Sequence, residues 1–345
     1  MYPALSTPAD GHAPVRRWLW FVAFLVLAMI VVGGATRLTG SGLSITEWRP
    51  LLGAIPPLSE AAWLAEFEKY RAIPQYQLVN KGMSLADFQF IYWWEWGHRQ
   101  LGRFVGIAFM LPLLWFWLRG TVKGRLALWL LALGALGGFQ GAIGWIMVAS
   151  GLQAGMVAVA PIKLALHLTT ACLILAGLVW TARRLRSGTP VEIVPARIAL
   201  TAKAIVALLL VQIALGALVA GSKSGLTYNT WPLMDGALVP SAEVLFVVKP
   251  WLENFVDNPA LVQFNHRLSA YLLLALALWH WLQARGTAAS RSAAHMALAI
   301  GSQAIVGIVT LLLMVPLWAG LLHQVLAALI LIAAVMHAET LGRAT

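Results

Sequence analysis

The chain has 345 residues, of which 60% are hydrophobic and only 11% are charged. Soluble domains carry about 25% charged residues, so most of this chain is not built to face water. The net charge of +11 comes from basic residues beside apolar segments, which is typical of orientation in a bilayer rather than of nucleic-acid binding. A single cysteine, Cys172, excludes an internal disulfide and a cysteine-based metal site.

In chain order, eight apolar segments approach the length of about 20 residues that a membrane-spanning helix needs. The segments are 18–36, 100–118, 126–148, 161–181, 199–220, 263–283, 294–316 and 319–338. Two long loops, 37–97 and 221–260, lie between them. We therefore predict an all-α integral membrane protein with eight transmembrane helices.

Charge predicts the orientation of these spans. An even number of spans places both termini on one side, and residues 1–17 then form a short tail there. If that side is the cytoplasm, its segments carry 13 basic residues against three acidic ones, as short cytoplasmic loops usually do. Both termini are predicted to be cytoplasmic and both long loops extracytoplasmic.

The first long loop contains two predicted helical segments. One opens at Ser59 and runs to about Tyr70, and the other follows a capping-box pattern at Ser84 and Asp87. Both segments are rich in aromatic residues, as expected of helices at a membrane interface.

The two halves of the chain repeat each other. The offset between matching residues falls from 183 to 156, which indicates shorter loops in the second half. Matching pairs are Ser41 and Ser224, Trp48 and Trp231, His98 and His266, Arg99 and Arg267, Gln140 and Gln303, Gly144 and Gly307, and His167 and His323. We predict two parallel-repeat four-helix bundles, 18–186 and 187–345, related by an axis along the membrane normal, with sites inside each bundle.

Four of the eight histidines follow this repeat, two in each bundle: His98 and His167, then His266 and His323. All four are predicted to lie near the extracytoplasmic membrane edge, and two facing imidazoles can supply both axial ligands of a haem iron. A lone intramembrane histidine is often only a hydrogen-bonded packing residue. Ionisable residues inside spans are costly, however, and their repetition favours ligands.

The other histidines do not repeat. His12 lies in the tail, and His280, His295 and His337 fall at predicted cytoplasmic ends, where a solvated or dipole-pairing role is expected. Zinc needs three or four clustered ligands, and a di-iron site needs Glu-x-x-His twice, a motif present once. Neither a zinc site nor a nucleotide site is predicted.

The halves differ at Glu95, which corresponds to Gln263. Positions i and i+3 share a helix face, so Glu95 can lie over the same site as His98. A carboxylate can move protons or stabilise positive charge near a reacting carbon. This favours chemistry in the first bundle and electron transfer in the second. The alternative is that Glu95 caps the helix or pairs with Arg99.

Several basic residues near the same edge are candidates to bind haem propionates, although ordinary snorkelling at the interface would also explain them. They are Arg37, Arg49, Arg99, Arg103, Lys163, Lys223 and Arg267.

At these residues the sequence resembles the haem A synthase family of alphaproteobacteria and mitochondria, over about residues 30 to 340. The matching stretches are Gly33-Gly34-Ala35-Thr36-Arg37-Leu38-Thr39, Ser41-Gly42-Leu43-Ser44-Ile45-Thr46-Glu47-Trp48, Gly53-Ala54-Ile55-Pro56-Pro57-Leu58-Ser59, Glu66-Phe67-Glu68-Lys69-Tyr70, Glu95-Trp96-Gly97-His98-Arg99, Gly102-Arg103 and Phe264-Asn265-His266-Arg267.

The resemblance implies oxidation of a methyl group of haem O to a formyl group, through a hydroxymethyl compound, to give haem A for cytochrome oxidase. It places His98 and His167 beside the substrate haem O, makes His266 and His323 the ligands of a permanent haem B, and matches Glu95 to the family's catalytic acidic residue. Handover of haem O from a haem O synthase is expected. The electron acceptor, the oxygen source and any homo-oligomer stay open.

The chain lacks the loop cysteine pairs of Gram-positive relatives, in keeping with the alphaproteobacterial type. It also lacks a transit peptide, which favours a bacterial inner membrane. Two rival functions remain at this point. A di-haem b-type electron carrier would use both histidine pairs symmetrically, and a haem transporter or chaperone would want a site open to both faces.

Overall fold

The computed structural model describes residues 11–186 and 194–342. Within them, eight helices are long and apolar enough to cross a membrane, so the predicted all-α integral membrane fold is confirmed. They are α1 (Ala13–Leu38), α2 (Leu85–Leu118), α3 (Gly124–Gly151), α4 (Pro161–Arg184), α5 (Ala196–Gly221), α6 (Pro259–Ala284), α7 (Ser290–Leu312) and α8 (Leu317–Gly342).

Seven short helices lie in the two long loops. The first loop holds Leu52–Ala54, Glu60–Arg71 and Pro74–Leu78, and the second holds Ser224–Thr227, Ala242–Leu245, Trp251–Glu253 and Asn254–Asp257. The helix predicted to open at Ser59 is present, and the Ser59 side chain accepts a hydrogen bond from the backbone of Ala62.

The predicted start of the second span was wrong. Residues 85–118 form one helix of 34 residues, about 51 Å long at roughly 1.5 Å per residue, so the first loop ends at residue 84 and not at 97. Polar side chains at Glu95, His98 and Arg99 lower the local hydropathy without interrupting the helix. The predicted capping box is confirmed, because Ser84 and Asp87 each bond the backbone N–H of the other.

Two other boundaries differ. Helix α1 begins at Ala13, inside the segment predicted to be a tail, with a proline in its first turn, a position where proline costs no hydrogen bond. Helix α7 ends at Leu312, four residues before its predicted end, because Met314 and Val315 adopt positive φ angles of 61° and 53° before Pro316.

The eight helices pack in two rings. In the first half, α1 contacts α2, α2 contacts α3, α3 contacts α4, and α4 contacts α1; helices α5 to α8 repeat this order. Helices α2 and α4, and likewise α6 and α8, are therefore diagonal partners across the interior of a four-helix ring. This packing agrees with the two predicted bundles.

The membrane-spanning helices of the two halves meet through three pairs, α4 with α5, α1 with α8, and α4 with α8, and the short helix Asn254–Asp257 also contacts α4. One apolar core runs through both halves, with Leu19 and Leu175 from the first and Leu273 and Leu331 from the second. Polar contacts cross the same boundary. The amide of Gln324 donates to the carbonyl of Ile30 at 2.6 Å.

The first loop folds as a small aromatic layer on the end of α2. Phe67 stacks on Phe88 with ring centroids 4.9 Å apart. The buried Tyr70 hydroxyl donates to Gln75 at 3.0 Å and accepts from Asn80 at 2.7 Å. The loop is thus anchored to the helix that carries Glu95 and His98.

Candidate functional site

The four repeated histidines lie on the diagonal helices of the two rings. His98 on α2 and His167 on α4 are close enough to interact electrostatically, and the same holds for His266 on α6 and His323 on α8. Each bundle therefore contains one couple of imidazoles placed across its interior.

A glycine of a neighbouring helix lies against each of these rings. A Cβ atom on the glycine would lie 2.7 to 3.0 Å from the Cε1 atom of the histidine, closer than carbon atoms pack. The four pairs are Gly33 with His98, Gly144 with His167, Gly216 with His266, and Gly307 with His323. The glycines recur at offsets of 183 and 163, so the repeat applies to the histidine surroundings as well as to the histidines.

Glutamine amides fix the helix backbone beside three of the histidines. Gln140 donates to the carbonyl of His167 at 2.8 Å, and Gln303 donates to that of His323 at 2.9 Å. Gln212 lies 3.1 Å from Nδ1 of His266 and also donates to the His266 carbonyl. The repeat position of Gln212 in the first half is Met29, so this contact exists only in the second bundle.

Two observations bear on whether the histidines can bind a haem iron. All four side chains are half-buried, so each keeps an accessible part beside its glycine contact. Within the described residues, the buried Nδ1 atoms of His98, His167 and His323 have no hydrogen-bond partner. In the first bundle two uncommitted imidazoles on opposite helices form the donor set of a six-coordinate haem iron. In the second bundle His323 is uncommitted, and the ring of His266 contacts the Gln212 amide.

The structure places Glu95 in a closed network of donors. Its Oε2 atom accepts hydrogen bonds from the Ser44 hydroxyl and the Ile45 backbone N–H, both at 2.8 Å. Its Oε1 atom accepts two from Arg99, at 2.6 and 3.1 Å. The pairing with Arg99, considered from the sequence as the alternative to catalysis, is therefore present, and Glu95 also holds the first loop against α2.

The second bundle repeats this arrangement with an amide in place of the carboxylate. Gln263 accepts from Arg267 at 2.7 Å and donates to the carbonyl of Ser224 at 2.9 Å. Arg99 donates to the carbonyls of Ile45 and Glu47, and Arg267 donates to those at the repeat positions, Tyr228 and Thr230. The two arginines thus serve the same loop-anchoring role, and the charge of Glu95 is the difference between the halves.

The seven predicted propionate ligands fall into three groups. Four are engaged with protein: Arg49 with Glu47 and Glu66, Arg99 with Glu95, Arg103 with the carbonyls of residues 49 and 50, and Arg267 with Gln263 and loop carbonyls. Lys223 is exposed, with a positive φ of 55°. Arg37 and Lys163 are half-buried and, within the described residues, have no side-chain partner.

The expected solvation of two other histidines was wrong. His280 is fully buried, and its Nε2 atom lies 2.8 Å from Nε2 of His337, while its Nδ1 atom lies 2.7 Å from the Thr201 hydroxyl. These contacts join α5, α6 and α8 at the end of the second bundle that is remote from His266. His295 is exposed, as predicted.

Sequence comparison bears on the same residues. A family model named COX15-CtaA, described as a cytochrome oxidase assembly protein, matches residues 16–335. The chain belongs to this family. The COX15-CtaA match includes both histidine couples and Glu95, and it confirms the resemblance seen in the motifs.

Relatives named heme A synthase cover nearly the whole chain. The protein of Methylobacterium sp. (strain 4-46) is 64% identical over 336 residues, which are 95% of this chain and 93% of the relative. That of Methylobacterium nodulans is 65% identical over 329 residues, 93% of this chain and 91% of the relative. The protein of Azorhizobium caulinodans is 53% identical over 343 residues, which are 98% of this chain and 97% of the relative.

Proposed function

We propose that this chain is a membrane oxidoreductase that converts haem O to haem A by oxidising a ring methyl group to a formyl group for cytochrome oxidase. The observation that carries the proposal is a histidine couple across each bundle, with a carboxylate three residues before the first histidine of the couple in only one of them. Relatives named heme A synthase share 53 to 65% of their residues with this chain.

The two couples have different roles in this proposal. His98 and His167 would position the substrate haem O, and His266 and His323 would hold a permanent haem B. Haem B supplies electron transfer when bound. The chain's own residues orient the two macrocycles, and Gly33 and Gly307 leave the room in which the rings of His98 and His323 lie.

Glu95 contributes a fixed charge to the first site. Four donors surround its carboxylate, so it is held in one place and can stabilise positive charge that develops on the substrate. The neutral Gln263 offers no such charge in the second bundle.

The Glu95→Gln variant tests this role, because it gives the first bundle the side chain that the second already accommodates. We expect unchanged histidine-bound haem and a fall in haem A production of roughly 100-fold or more, the size typical of removing an electrostatic contact from a transition state. Near-normal turnover would remove Glu95 from the mechanism. Glu60→Gln makes the same chemical change at an exposed loop position; it is the control and should leave turnover unchanged.

The proposed activity itself is tested by expressing the chain with a haem O source and separating the extracted haems by chromatography. Haem A and its hydroxymethyl precursor are expected. Their absence, with both haem sites filled, would favour the electron-carrier function, and unaltered haem O passing to another protein would favour the transporter.

We also propose a bacterial inner membrane location, with both termini cytoplasmic and both long loops extracytoplasmic. Alkaline phosphatase fused within either long loop should be active, and the same enzyme fused to the C-terminus should be inactive. The reverse pattern would invert the topology.

A haem O synthase is the expected supplier of substrate, and an electron acceptor is required, because the oxidation releases electrons.

A further inference from the structure

Two cationic side chains of the first bundle differ from the other basic side chains near the histidines. Arg37 and Lys163 are half-buried, yet within residues 11–186 and 194–342 neither side chain forms a hydrogen bond or an ion pair. A partly desolvated charge without a partner is costly. Both side chains are therefore available for an anionic ligand.

Both cations lie one helical turn from a histidine contact. Arg37 follows Gly33, which touches His98, by four residues on α1, and Lys163 precedes His167 by four residues on α4. Residues four apart share a helix face and are separated by about 6 Å along the axis. Because α1 ends at Leu38 and α4 begins at Pro161, both cations lie on the loop side of the histidine couple.

The positions of the second bundle that match these two cations hold alanines. The offset of 183 carries Arg37 to Ala220, and the offset of 156 carries Lys163 to Ala319. Ala319 is buried, at 1% exposure. The first bundle thus has two cations where the second has two methyl groups, although the histidines and their glycines are the same.

We propose that Arg37 and Lys163 bind the two propionate carboxylates of the substrate haem, one cation to each, and that this charge pair marks the first bundle as the substrate site. The inference rests on the proposed function and identifies which of the basic residues hold the substrate. It gives the substrate an upright orientation, with its carboxylates toward the loops and its iron at the level of the histidines.

The test compares a dicarboxylate haem with its uncharged ester. Full-length protein is purified with the haem of the second bundle in place, from cells lacking haem O synthase, and titrated with ferric haem B or with its dimethyl ester while Soret absorption is followed. The wild-type protein should bind the diacid more tightly than the diester. Arg37→Gln and Lys163→Met should each weaken diacid binding roughly 10- to 100-fold, as expected for a charge-assisted hydrogen bond, and leave diester binding unchanged.

Controls separate charge from folding. Lys81→Met, at an exposed loop position, should leave both affinities unchanged, and Arg37→Lys should restore most of the diacid preference. The resident haem spectrum reports folding in each variant, and if one single variant loses that spectrum the other decides the question. Equal binding of diacid and diester by the wild type, or equal weakening of both by the variants, would overturn the proposal.

The titration does not depend on turnover. If the wild type prefers the diacid and the variants lose this preference, but no haem A forms in cells, then the charge pair stands and the proposed oxidation fails. If haem A forms and the variants keep the preference, the oxidation stands and the charge pair fails.

Discussion

Each repeated histidine is confined by a glycine on the next helix, and this contact is sensitive to a single methyl group. A Cβ atom at position 307 would lie 2.7 Å from Cε1 of His323, whereas one at position 301 meets nothing nearer than 3.9 Å. Gly307→Ala should therefore displace the ring, at a cost of about 1–3 kcal/mol, and lower the haem content of the second bundle. Gly301→Ala is the control on the same helix and should retain haem. Equal haem content and equal spectra in the two variants would contradict the confinement.

The buried couple of His280 and His337 permits a second residue-level prediction. His280→Phe keeps an aromatic ring but removes the partner of the His337 imidazole, while the Thr201 hydroxyl keeps its contacts with the carbonyls of Arg197 and Ile198. The loss should destabilise the protein by about 1–3 kcal/mol. Replacing both histidines by phenylalanine should restore part of that loss, because no unpaired imidazole remains. Thermal unfolding in detergent measures both, with the exposed His295→Ala as control. A single variant as stable as the wild type would show that the couple does not contribute.

At this scale the sequence predicted the residues better than their partners. The repeat predicted two histidine couples, which the structure shows on diagonal helices, and their role as ligands stays a prediction. The i to i+4 spacing anticipated the pairing of Glu95 with Arg99. It did not predict the glycine contacts or the bond between His280 and His337, because these join residues from different helices whose rotation about their axes no local pattern determines. The unrepeated Gln212 gave no signal either.

Among the helices, α2 shows how polar residues mislead a hydropathy argument. Glu95, His98 and Arg99 lower the apolar average, so the predicted span began at 100. The side chains of Glu95 and Arg99 pair with each other, and Arg99 also donates to two loop carbonyls, so the helix continues through these charged residues. The capping box at Ser84 was the better guide to the helix start, since it depends on local hydrogen bonds alone.

The helix Glu60–Arg71 provides a pH-dependent prediction for the first loop. Burial raises the pKa of the Tyr70 phenol, so the folded state keeps this proton at a pH where the unfolded chain, near pKa 10, releases it. The stabilisation is complete below that value and is lost as pH rises through the folded-state pKa. Chemical unfolding should show that the stability of the wild-type protein falls toward that of the Tyr70→Phe variant as pH rises above about 10, the pKa of the unfolded phenol. A difference between them that is independent of pH would contradict this.

For the whole molecule, the shared apolar core predicts that the halves cannot be separated without loss. Breaking the chain between residues 186 and 194 leaves Leu19, Leu175, Leu273 and Leu331 to form one core from two polypeptides. When expressed together, the two pieces should co-purify and retain haem, and each alone should be degraded. Co-purification by an affinity tag on one piece measures this. Stable, haem-containing pieces expressed alone would show independent bundles.

The fold class and the number of spans followed from the sequence because long apolar segments leave few alternatives in a bilayer. The repeat predicted a division into two halves, and the ring packing of the helices is consistent with it. How the halves dock was not predictable, since apolar helix faces do not specify which neighbour they meet. The structure supplies that arrangement through α1, α4, α5 and α8.

The docking of the halves has a consequence for how such a chain can diversify. The contact of α1 with α8 corresponds to that of α5 with α4, and α4 meets its own counterpart in α8. A half-length ancestor could have made these three contacts between membrane-spanning helices with an identical subunit, but each subunit would then have carried the same side chain at every position. Covalent fusion lifts that restriction, so position 95 can hold an acid and position 263 its amide within one heritable unit.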